Sequence, residues 1–160
     1  MKKIVLGIVC VLGFNLPSFA QELKSKLLFE VTFNLQPGVE IGQTLTGKRT
    51  IYPVLDGFFE GPNIKGKVLP NGGDWLVQVN ESTNKLDVRA SLQTNEGENI
   101  YVSYQGFLKV NADGTYYFRT TPYFETSSKK YAYLNHTVCV GVGTLVKPGA
   151  TVSYKVYEIL

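Results

Sequence analysis

From Leu27 the chain alternates, with Leu27, Phe29, Val31, Phe33 and Leu35 on one side and Leu28, Glu30, Thr32 and Asn34 on the other. Successive side chains leave a strand in opposite directions, so this period of two marks a strand with two unlike faces. The pattern recurs at Trp75, Val77 and Val79 against Asp74, Leu76 and Gln78. It recurs again at Leu86, Val88, Ala90 and Leu92 against Asp87, Arg89, Ser91 and Gln93, and at Ile100, Val102 and Tyr104 against Tyr101, Ser103 and Gln105. Further β-rich runs lie at 48–54, 57–60, 64–69, 106–110, 114–120, 137–146 and 151–158. Turn signals such as Gln36-Pro37-Gly38, Gly61-Pro62-Asn63, Pro70-Asn71-Gly72-Gly73 and Lys147-Pro148-Gly149 separate them.

With no long helical stripe between these runs, the pattern predicts an all-β sandwich or barrel. A single antiparallel β-barrel of about eight to ten strands is favoured, because closure removes the exposed edges that invite pairing between molecules. One short helical turn is expected at Ser127 to Leu134, capped by Ser127 and ended by Asn135 in the left-handed conformation.

The first residues read differently. Lys2 and Lys3 precede an apolar run from Ile4 to Phe14, and Ser18 and Ala20 supply a small-x-small cleavage pattern. This predicts a secretory signal peptide over residues 1–20, cleaved after Ala20, and a periplasmic or secreted protein consisting of one domain over 21–160. The apolar run is too short for the roughly 20 residues of a membrane-spanning helix. Cys10 would leave with the signal, so Cys139 would be the one cysteine of the mature chain, and no disulfide could staple it. The chain carries 16 Lys and Arg against 13 Asp and Glu. Losing Lys2 and Lys3 brings the net charge to about +1. No basic surface for nucleic acid is indicated. A lipid-facing barrel is disfavoured because several runs are short for membrane strands and Glu60, Lys65 and Lys67 interrupt them.

The residue types exclude several chemistries. His136 is the one histidine, and Cys139 follows it by three, an offset that sends two strand side chains to opposite faces. A Cys-His dyad, a serine triad and a zinc site all lack support, and no phosphate-cradling glycine motif is present. No metal and no cofactor are expected. What remains is a set of charged and aromatic residues in strands: Glu60, Asp74, Asp87, Arg89, Tyr101, Arg119 and Glu125. Asp87 and Arg89 share a face. Facing outward they are ordinary solvated charges; lining the lumen they would have to be paired or ligated. Tyr116, Tyr117, Phe118, Tyr123, Phe124, Tyr131 and Tyr133 form a dense aromatic segment, either a core layer or a rim holding a flat ligand.

Five motifs, in order, resemble one family. They are Gly57-Phe58-Phe59-Glu60-Gly61-Pro62, Lys65-Gly66-Lys67-Val68-Leu69-Pro70, Gly73-Asp74-Trp75, Leu86-Asp87-Val88-Arg89, and the stretch from Tyr117 to Thr126 followed by Tyr131-Ala132-Tyr133-Leu134-Asn135. From about Leu27 to Glu158 the chain is similar to domain of unknown function family 3237, also called uncharacterised protein family 0311. The resemblance implies a single-domain β-barrel and no particular reaction. It also implies Glu60, Asp74, Asp87, Arg89, Arg119, Glu125 and Asn135 as ligand-binding positions.

Three functions follow as expectations. The first is an exported soluble barrel that binds a small, partly apolar or anionic molecule, with Arg89 and Arg119 as anion partners. The second is a cofactor-free enzyme of lyase, isomerase or cyclase type, in which Asp87 or Glu125 moves a proton and Tyr101 assists. The third is a structural or interaction module without a pocket. A homodimer is compatible with each.

Overall fold

The computed structural model describes residues 22–160. The predicted signal peptide, its cleavage point and Cys10 lie outside the described residues. Ten strands follow in order: β1 (Ser25–Leu35), β2 (Val39–Thr44), β3 (Gly47–Glu60), β4 (Lys65–Val68), β5 (Gly73–Asn80), β6 (Thr83–Thr94), β7 (Asn99–Val110), β8 (Tyr116–Glu125), β9 (Cys139–Lys147) and β10 (Thr151–Ile159). A 3-10 turn at Ala132–His136 precedes β9.

Antiparallel pairing runs β1-β10-β9-β8-β7-β6, and β3 closes the ring by pairing with β1. The place between β6 and β3 is shared by two shorter strands: β4 pairs with 57–60 of β3, and β5 with 48–53. This gives the closed antiparallel barrel that the alternation predicted. β1 ends at Leu35, whose N–H donates to the Ala150 carbonyl at 2.7 Å. Beyond that point β2 lies beside β3 in its place, and its other edge has no strand partner among the described residues.

The apolar halves of the strands point inward. Phe29, Val31 and Phe33 of β1 meet Leu86, Val88, Ala90 and Leu92 of β6 and Ile100, Val102 and Tyr104 of β7 in one buried cluster. One end is packed solid: the Phe29 ring lies 5.6 Å from Phe59 and 5.7 Å from Phe124, and Tyr131 and Leu134 are buried there too. The charged side chains of β6 face water, the reverse of a barrel whose apolar residues face lipid. No helix among the described residues is long and apolar enough to cross a membrane.

Local departures have physical reasons. Runs 48–54 and 57–60 join into the single strand β3, and β2 was not anticipated behind its Pro-Gly signal. The helical turn starts at Ala132, not at Ser127, and its N-cap, Tyr131, makes no side-chain capping bond. Residues 126–128 are instead tied to the sheet, because the Thr126 hydroxyl donates to the Asn99 carbonyl at 2.8 Å and accepts from the Ser128 N–H. Asn135 does not adopt the left-handed conformation; among the described residues only glycines have positive φ. The aromatic segment divides: Phe118, Phe124 and Tyr131 are buried, while Tyr116, Tyr117, Tyr123 and Tyr133 are exposed.

β5 is turned opposite to its apparent hydrophobic face. Asp74 and Leu76 point into the barrel, while Trp75 lies outside beneath the Arg89 guanidinium, 5.5 Å from its ring centroid. Val77 is nonetheless buried, because the turn at Gly47 packs against it from outside. The strand therefore has partly covered apolar residues on each side, which alternation alone cannot distinguish from a single core face.

Candidate functional site

The end of the barrel opposite the aromatic floor is hollow. A cavity of about 310 Å³ opens there, walled by Phe33, Tyr52, Leu86, Tyr104, Phe118 and Tyr154, with Leu76, Asn84 and Val110 also in its lining and Pro148 and Gly149 contributed by the β9–β10 turn. Its inner wall is aromatic. The Tyr104 and Tyr154 rings meet edge to face at 5.3 Å, Phe118 approaches Tyr154 at 5.1 Å, and Phe33 lies 6.1 Å from Tyr154. Edge-to-face packing of this kind holds rings rigidly and presents a preformed surface.

Asp74 is the one ionisable carboxyl in this lining, and it is only 8% exposed. A break in the sheet holds it there. β5 and β6 pair at Gly73/Arg89, Asp74/Val88 and Val77/Lys85, but pairing lapses between them at Trp75 and Leu76. The Asp87 N–H donates instead to Asp74 Oδ1 at 3.1 Å, and the Trp75 carbonyl accepts from Arg49 Nη1 at 2.8 Å. Two ladder groups thus find side-chain partners, which satisfies the requirement that buried backbone polar groups be paired. The other Asp74 oxygen has no hydrogen-bond partner among the described residues and is left to the cavity.

Burial raises the Asp74 pKa to about 7; the Asp87 N–H opposes that rise and the nearby Asp87 charge adds to it. Desolvation dominates because no cation compensates the carboxylate. Burial likewise pushes the Tyr104 and Tyr154 phenols up, so both keep their protons at neutral pH. The site therefore offers an apolar chamber, two neutral phenols and a carboxyl that is half protonated near neutrality. Among the described residues no group of three or more His, Cys, Asp and Glu is placed to hold a metal ion.

The other sequence-selected residues lie elsewhere. Asp87 and Arg89 are on the outer wall, their nearest charged atoms 3.6 Å apart, so the solvated alternative describes their position. Arg119 lies outside as well, 5.1 Å from the Tyr117 ring centroid, and donates to the Phe118 carbonyl. Glu60 is exposed at the end of β3. Tyr101 and Glu125 are register partners on β7 and β8, and with Asn135 they border an open outer trough of about 620 Å³. The trough is larger than the lumen cavity but lies open to water. Asn135 spends its amide on structure, accepting from the Thr126 N–H at 2.8 Å and donating to the Thr126 carbonyl at 3.0 Å. Asp74 alone of the set reaches the lumen cavity.

Tyr52, Tyr104 and Tyr154 were not among the sequence candidates. Tyr104 and Tyr154 occupy inward positions in apolar alternation, and a tyrosine there, where a phenylalanine would suffice, is the signal that could have found them.

Comparisons with known proteins agree with this architecture. The model of the family described as protein of unknown function (DUF3237) matches residues 23–159. A UPF0311 protein of Clostridium acetobutylicum is 30% identical over 131 residues, covering 72% of this chain and 83% of its own length. The crystal structure of a β-barrel-like protein from Acinetobacter baumannii superposes with a TM-score of 0.82 at 33% identity, covering 92% of this chain and 99% of that one. The crystal structure of an enzyme from Penicillium herquei shares the fold, with a TM-score of 0.71 at 23% identity over 91% of this chain and 100% of that one.

Proposed function

The chain belongs to the DUF3237 family of proteins of unknown function, and from that premise we propose that it is a binding protein whose barrel mouth takes up a small, largely apolar molecule. The observation that carries this reading is the open-mouthed chamber of about 310 Å³ with one buried carboxyl in its lining. Ligand sites are typically concave, mostly apolar and supplied with a few fixed polar groups, and this chamber is at the small end of their range of about 300–1,000 Å³. An anionic ligand gains nothing here: among the described residues no Lys, Arg or His lines the chamber, and Arg89 and Arg119 lie outside it. The lysine-led apolar start of the sequence supports export, with the pocket working in the periplasm or outside the cell.

The test is fluorescence titration with 2-naphthol, an apolar bicycle bearing one hydroxyl, against the native protein and Leu76→Trp. Leu76 is half-buried in the lining, and an indole there intrudes on the chamber and narrows it. Saturable binding that weakens at least about tenfold in the variant, with unchanged circular dichroism, supports the reading. Binding insensitive to the substitution would refute it.

One observation favours a second reading, a cofactor-free enzyme. A carboxyl with a pKa of about 7 in the wall of a largely apolar chamber is suited to giving or taking a proton at neutral pH. In that reading Asp74 moves the proton, in place of the Asp87 and Glu125 considered from sequence. Turnover lost in Asp74→Asn while ligand affinity is retained distinguishes catalysis from binding alone.

A further inference from the structure

We infer that the preferred occupant of the barrel mouth is a hydrophobic ammonium, a compact aromatic or alicyclic body carrying one protonated nitrogen that pairs with the free oxygen of Asp74. This rests on the binding reading above and specifies its ligand class. The first argument is charge balance. The titratable groups that line the chamber with Asp74 are Tyr52 on the paired strand β3, Tyr104 on β7 and Tyr154 on β10; Asp87 on β6 offers its backbone N–H while its carboxylate pairs with Arg89 outside, and Arg49 on β3 donates to the Trp75 carbonyl and is not in the lining. None of the lining groups is cationic. A buried carboxylate without a partner is strongly disfavoured, and a ligand that brings the missing positive charge recovers what burial costs.

The second argument is the geometry of the walls. One carboxyl oxygen is already held by the Asp87 N–H, which fixes the group and leaves the other oxygen to receive a donor from the chamber. The rings of Phe33, Tyr104 and Tyr154 line the same chamber, with centroids 5.3 to 6.4 Å apart. Aromatic faces attract cations most strongly where water is excluded. A neutral alcohol of the same shape would gain a hydrogen bond but no charge pairing, and an anion would be repelled. Burial strips ionised Asp74 of hydration, which raises its pKa, and a cation in the chamber would offset that loss.

The probes are 2-phenylethylamine and 2-phenylethanol, which differ only in ammonium against hydroxyl, titrated calorimetrically near pH 8 and pH 5. The amine is expected to bind at least about tenfold tighter at the higher pH, when Asp74 is ionised. That advantage shrinks near pH 5 and disappears in Asp74→Asn. An alcohol that binds as tightly as the amine near pH 8 overturns the ammonium inference while leaving the pocket reading intact. If neither probe nor 2-naphthol gives saturable binding, the pocket reading itself falls and the inference with it. An amine preference that persists undiminished in Asp74→Asn assigns the selectivity to another group and also overturns it.

Discussion

Replacing Asp74 by Asn is expected to stabilise the protein in alkaline solution and to change it little in acid. The folded carboxyl titrates near 7, against 3.8 for the unperturbed group. Between those values the native state holds a proton that the unfolded chain has released, so rising pH favours unfolding. The penalty is absent below about pH 3.8, grows through the interval and is complete above about pH 7. The rise from 3.8 to about 7, at about 1.36 kcal/mol for each tenfold change in proton affinity, amounts to about 4 kcal/mol, an upper figure because the site relaxes around the charge. Asparagine keeps an oxygen to accept from the Asp87 N–H but cannot ionise, so it escapes the penalty. Urea unfolding of both proteins across that range measures the effect. The variant's stability minus the native protein's should climb by a few kcal/mol between about pH 4 and pH 8, a large share of the total stability of a domain. A difference that stays flat would mean that Asp74 is solvated or neutralised in the folded state, and the lone-carboxyl argument would fail.

Three other outcomes follow from particular contacts. Gly143→Ala would place a methyl 2.5 Å from Phe118 Cγ, so its urea midpoint should report a loss of about 1–3 kcal/mol; an unchanged midpoint would show that β9 does not press on that ring. Arg89→Ala removes an exposed ion pair and a stacking contact on Trp75, worth no more than about 1 kcal/mol, and should leave 2-naphthol affinity unchanged in the same titration. Cys139 is buried, and burial raises its thiol pKa to about 11, so a disulfide reagent near pH 8 should label it slowly in the native protein and rapidly in denaturant.

Much of the barrel was legible because a strand with one face in the core must alternate, and β6 and β7 do so in register with their buried sides; β1 does so from Phe29 onward, an irregularity between Leu27 and Phe29 bringing Leu28, expected on the outer face, into the core. β5 shows where that logic stops. Its more apolar face points outward, covered by Arg89 and by the turn at Gly47, while the face bearing Asp74 enters the lumen. Both faces are partly apolar, and choosing between them requires the register with β6. The candidate site was legible only as one residue. Asp74 was among the positions implied by the family resemblance, but nothing local separates it from Asp87, which lies across the adjoining pair of strands and faces water.

Alternation, turn residues and the lack of helical periodicity sufficed to determine an all-β fold and to favour a barrel, because the period of a strand is written in its own side chains; the closure itself rests on the pairing of β1 with β3. Which carboxyl is buried, and that it is buried without a cation, was decided by long-range pairing. β5 must align with β3 and β6, and the lapse in its ladder must send the Asp87 N–H to a side chain, before Asp74 faces the hollow end between Tyr52, Tyr104 and Tyr154. Desolvation depends on everything that surrounds a group in space, and those neighbours come from strands spread from Phe33 to Tyr154.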